Sequence, residues 1–105
     1  MTKLKIYIAG PMRGHDNFNR ASFNRAERRL VSKGIYDVIN PVNYDLEAGV
    51  TKENYKEKLR ECLARDCQNV CECSAIYMLL GWEYSLGARA EHALAAALGI
   101  SIMYE

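Results

Sequence analysis

The run Ser85-Leu86-Gly87-Ala88-Arg89-Ala90-Glu91, continued by His92-Ala93-Leu94-Ala95-Ala96-Ala97-Leu98-Gly99, sets one carboxylate inside a small, apolar helical segment. Glu is rarely buried unpaired, because taking its charge out of water costs several kcal/mol. A long helical side chain leans toward the helix N-terminus, over the residue four earlier. For Glu91 that residue is Gly87, which has no side chain to block the way. The carboxylate is therefore expected to look over the helix mouth, where backbone N–H groups and the Ser85 hydroxyl can hold an anion. A carboxylate beside an anion cradle suits chemistry on a phosphorylated small molecule.

The elements that must position it read as alternating strands and helices. Lys5–Ala9 is a short apolar strand ended by Gly10-Pro11. Asp16 or Asn17 is placed to cap a helix with Phe23, Ala26, Leu30 and Val31 on one face, and Gly34 to end it. Tyr36–Ile39 is a second strand stopped by Asn40-Pro41, and residues 41–51 read as a loop. From about Thr51 a second helix carries Tyr55, Leu59, Leu63, Val70 and the cysteines. Ser74–Leu80 is apolar enough for a central parallel strand covered on both faces. After the Ser85 helix, Gly99 leads into a last strand, Ile100–Tyr104.

Such alternation predicts an α/β domain over residues 1–105, a flavodoxin/Rossmann-like three-layer sandwich on a short parallel sheet of four to five strands. Ligands of such sheets bind outside the carboxyl ends of the strands, where strand order reverses. The loops there, Gly10–Asn17, Pro41–Val50 and Gly81–Tyr84, hold the unusual residues of the chain. In the first, Gly10 and Gly14 allow close backbone approach and Arg13 offers a planar fork for phosphate. The spacing is neither a Walker loop nor a dinucleotide fingerprint.

With 105 residues, a net charge of +1 and no basic stripe, the composition argues against a nucleic-acid polymer as partner. No apolar run is long enough to span a bilayer. Met1-Thr2-Lys3 leads straight into strand-like sequence, so no signal peptide is expected and the expected compartment is the cytoplasm. Cys62, Cys67, Cys71 and Cys73 fall within twelve residues without CxxC knuckles. They read as buried free thiols rather than a zinc site or disulfide framework.

Tyr7-x-x-Gly10-x-x-Arg13-Gly14, Asp66, and Ser85-x-Gly87-x-x-x-Glu91-x-x-x-Ala95-x-x-Leu98-Gly99 together resemble the nucleoside 2-deoxyribosyltransferase superfamily. The branch most similar is the deoxynucleoside 5′-monophosphate N-glycosidases. The resemblance implies Glu91 as the nucleophile at the anomeric carbon, with Tyr7 contacting the sugar and orienting that carboxylate. It implies Asp66 near the departing base, and Arg13 and Ser85 on the 5′-phosphate. Ser85 stands where the transferase branch has Asp, and a second carboxylate there would repel phosphate, so hydrolysis of a nucleotide is expected over base exchange. The alternatives are a non-catalytic nucleotide-binding module and a base-exchanging transferase.

Each residue also has a plainer use: Ser85 as a helix N-cap, Tyr7 as strand packing, Arg13 as a solvated loop residue, Asp66 as a partner of a neighbouring Arg, and Glu91 as an ion-pair partner of Arg89 or Arg65. Trp82 and Tyr84 are placed either to stack on a nucleobase or to form a protein contact. His15 reads as solvated. No metal or organic cofactor is called for. The similar glycosidases continue past the last strand and complete their sites partly from a neighbouring subunit, so a homodimer or higher homo-oligomer is expected.

Overall fold

The structure, a computed structural model, describes residues 2–105; Met1, the first residue of the expected domain, lies outside the described residues. Four parallel strands form one sheet in the order β2-β1-β3-β4: β1 (Leu4–Ala9), β2 (Tyr36–Ile39), β3 (Ala75–Met78) and β4 (Ser101–Tyr104). The sheet settles at four strands. Its long helices are α1 (Arg20–Val31), α3 (Leu59–Cys71) and α4 (Leu86–Leu98), with a short α2 (Pro41–Glu47) after β2. No helix among the described residues is long and apolar enough to cross a membrane.

Alternation along β1 builds the three layers. Ile6 and Ile8 face α1 and α2, packing with Phe23, Ala26, Leu30, Val42, Tyr77 and Leu79. Tyr7 and Ala9 face the other way, toward α3 and α4, packing with Val70, Cys73, Ile76, Met78, Ala88 and Ala95. Side chains of the size of Phe23 and Leu30, fully withdrawn from water, each contribute about 1.5–3 kcal/mol. The chain leaves β1 for β2 on one side and returns to β3 on the other, so strand order reverses between β1 and β3. The loops at their carboxyl ends flank the resulting crevice. At its base Gly10 is needed for packing: a Cβ there would lie 2.7 Å from Cβ of Leu79.

Three stretches differ from the sequence expectation. Residues 41–51 are not simply loop, because Asn40 accepts a hydrogen bond from the Val42 N–H and Pro41 takes the first helical position, which starts α2. The helix expected from Thr51 starts at Leu59, since Thr51 and Asn54 close a turn through their own side chains and leave Tyr55 outside it. Neither Asp16 nor Asn17 caps α1. They belong to a 3-10 turn, Asp16–Asn19, in which Asn17, Phe18 and Asn19 all take left-handed backbone (φ 49°, 54° and 61°). Asn tolerates that conformation through its short polar side chain, whereas at Phe18 it costs about 1–2 kcal/mol. Val31, expected on the buried face of α1, is exposed. All four cysteines are free, but only Cys62 and Cys73 are buried; Cys71 is exposed.

Candidate active site

The crevice between the β1 and β3 loops opens into a cavity of about 780 Å³. Glu91 lies on its wall, 6% exposed, projecting from the second turn of α4. Its Oε2 accepts a 2.7 Å hydrogen bond from the hydroxyl of the fully buried Tyr7. The strand places that phenol beneath the helix, since Tyr7 and α4 share one layer. Burial, reinforced by the charge of Asp66 and opposed by the Tyr7 hydrogen bond, pushes the Glu91 carboxyl up to about 8. Burial, then the neighbouring Glu91, holds the Tyr7 phenol far above its ordinary range, so it remains a donor. Ion pairing of Glu91 with Arg89 or Arg65 is not what the structure forms.

Asp66, on α3, lines the same cavity and is 8% exposed. Burial raises its carboxyl to about 6 against the pull of Arg65. Arg65 donates to Oδ1 of Asp66 from Nε at 3.0 Å and from Nη2 at 2.7 Å, and from Nη2 to Oδ1 of Asp45 at 2.6 Å. The plainer use of Asp66, pairing with a neighbouring Arg, is therefore realised alongside its place in the cavity.

The opposite rim is suited to an anion. Ser85 caps α4, its Oγ accepting from the Ala88 N–H at 3.3 Å, which leaves the hydroxyl proton free to donate. Leu86, Gly87 and Ala88 follow as the first turn, where N–H groups lack carbonyl partners within the helix. Gly87 lines the cavity, and a Cβ on it would meet nothing within 4 Å, so the approach to this turn is open. Arg13 lines the cavity from the β1 loop, its guanidinium 5.3 Å from the Tyr55 ring centroid, and His15 stands beside it, exposed. Beside Asp66 the rest of the α3 lining is apolar, Leu59, Cys62 and Leu63, and next to it Phe18 stands edge-on to Tyr55 at 6.0 Å.

The structure thus brings Glu91, Asp66, Arg13, Ser85 and Gly87 to one cavity wall and leaves four expected residues out of it: Tyr7, Trp82, Gly10 and Gly14. Tyr7 is fully buried behind Glu91, where it orients the carboxylate but presents no surface to a sugar. Trp82 is turned away from the cavity, stacked on His92 at 4.2 Å and packed against the α3/α4 core, so the loop's cavity-lining aromatic is Tyr84. Gly10 serves the close packing on Leu79, and Gly14 a turn with φ of 81°. Glu83 is exposed. Sequence reasoning missed Asp45, Arg65 as a partner of both acids, and the Phe18–Tyr55 pair. Pro41 after a capping Asn was the available signal for the helix that delivers Asp45.

Residues 4–104 match the family model DUF4406, described as a domain of unknown function. No curated protein matches the chain.

Proposed function

The chain belongs to the DUF4406 family, and we propose that it hydrolyses the N-glycosidic bond of a deoxynucleoside 5′-monophosphate through a glycosyl-enzyme intermediate on Glu91. The observation that carries this reading is a buried carboxylate held by Tyr7 on a cavity wall shared with a second carboxylic acid and an anion-suited rim. The phosphate sits against Ser85, the first turn of α4 and Arg13. An Oε atom of ionised Glu91 attacks C1′ while the C1′–N bond breaks, its electron pair going to the base nitrogen, which takes the proton of Asp66. Water then attacks C1′ and gives its proton to Asp66, the C1′–O bond breaks, and Glu91 is returned as a carboxylate. The products are free base and 2-deoxyribose 5-phosphate.

Chromatographic detection of free base after incubation with deoxynucleoside monophosphates tests the proposal. Activity requires Glu91 ionised and Asp66 protonated. With the carboxyls raised to about 8 and about 6, kcat/KM traces a bell whose limbs lie near those values, greatest near neutrality. Nucleotide binding without base release from any substrate would replace the proposal by the sensing or sequestering reading. Base release only in the presence of a second base would make the chain a transferase.

Leu80, Tyr84 and Leu86, all strongly exposed at the cavity mouth, support a homo-oligomer in which a second copy covers them. A dimer or larger species is expected in sedimentation velocity at micromolar concentration, and monomer alone would count against this part of the reading.

A further inference from the structure

Asp45 and Arg65 have no place in the hydrolysis just described, yet Arg65 joins Asp45 to Asp66, two acids that both line the cavity. Both Arg65 bonds to Asp66 end on the same oxygen, Oδ1, at 3.0 Å and 2.7 Å. The Nη2 atom that makes the second also reaches Oδ1 of Asp45 at 2.6 Å, so one guanidinium is shared between acids from α2 and α3. The ring of Tyr44, also on α2, lies against the guanidinium at 5.7 Å. An oxygen that accepts two N–H bonds from a cation is the poorer place for a proton, so the proton of the neutral acid resides on Oδ2.

Resting on the N-glycosidase reading, we propose that Asp45 and Arg65 are positioning residues that fix the rotamer of Asp66 and present its Oδ2 alone, as proton donor, to the departing base. Asp45 has a second part in this. Arg65 undivided would pull the Asp66 carboxyl lower, and the competing carboxylate of Asp45 divides that pull and keeps more of the acid protonated. The other groups facing Asp66 are Arg13 from the β1 loop, Glu91 from α4, Tyr7 from β1, and Cys62 and Cys67 from its own helix.

The test combines a titration of the Asp66 side-chain carboxyl by carbon NMR with kcat and KM for base release from a deoxynucleoside monophosphate. It uses wild type, Asp45→Asn, Arg65→Gln and Arg65→Lys. Asp45→Asn keeps shape and acceptor but lowers the Asp66 midpoint, so the acid limb of kcat/KM moves down with it and the plateau falls. Arg65→Gln raises the midpoint and lowers kcat about tenfold to a hundredfold with little change in KM, the signature of a misplaced donor. Arg65→Lys restores the midpoint but not kcat, because a point charge lacks the fork that fixes the carboxylate. An Asp66 midpoint unmoved by both Asp45→Asn and Arg65→Gln overturns the proposal, as does full kcat in Arg65→Gln. If wild type releases no base, the N-glycosidase reading fails, and the midpoints in the two variants still decide whether the pair tunes Asp66.

Discussion

Glu91→Gln abolishes base release, by at least ~10³-fold, and at the same time makes the protein harder to unfold above pH 8. The first effect follows from replacing the carboxylate proposed as the nucleophile by a neutral amide. The second follows from proton linkage. In the fold the Glu91 carboxyl keeps its proton up to about 8, against an ordinary value of 4.5 in the unfolded chain. Between those values the native state binds more protons than the unfolded one, so wild-type stability falls as pH rises through that window and levels off above it. Gln does not titrate and still offers Tyr7 an oxygen to bond. The variant therefore equals wild type near pH 4 and draws ahead steadily toward pH 8. The advantage there is on the order of 2–4 kcal/mol, somewhat below the full linkage value because water enters the cavity to solvate the ionised acid. In a domain of this size that is about 10 °C or more in melting temperature. Thermal melts of both proteins from pH 4 to 9 read it directly. A difference that does not vary with pH would mean Glu91 is not held protonated by its surroundings.

Ser85→Asp is expected to reverse the preference between nucleotide and nucleoside. Asp is as good an N-cap as Ser, so α4 keeps its start and stability changes little. The added carboxylate lies on the rim assigned to phosphate, and two like charges a few ångström apart in a half-buried cleft repel by about 1–3 kcal/mol. KM for the monophosphate rises about tenfold to a hundredfold, while the unphosphorylated nucleoside is unaffected or improved. Steady-state kinetics on the matched pair of substrates decides it. An unchanged KM for the monophosphate would move the phosphate away from the α4 N-terminus.

Much of this site is legible in the chain because it depends on local patterns. The apolar runs of β1 and β3 announce a parallel sheet. Ser85 and Gly99 mark the ends of α4, the latter by the left-handed backbone at φ 74° that a C-terminal glycine supplies. The four-residue spacing puts Glu91 above Gly87. Where reading failed, the deciding interactions join residues far apart in sequence, or one signal had two meanings. Asn40-Pro41 stops a strand and starts a helix equally well, and only the side-chain bond to Val42 shows the second use. Without α2 there was no reason to bring Asp45 to Arg65, twenty residues on. Trp82 and Tyr84 are alike from sequence, and the fold separates them. Trp82 stacks on His92, and Tyr84 is left facing the cavity.

Because successive residues of β1 face opposite layers, the parity of the chain around Tyr7 is itself part of the site. A one-residue slip of β1 along its neighbours would swap the two sets of β1 side chains. The phenol would turn toward α1, and Ile6 or Ile8 would meet the Glu91 carboxyl instead. A slip of two residues leaves the phenol on its side of the sheet. The register of the first strand is therefore held by a hydrogen bond in the site as well as by the two core layers.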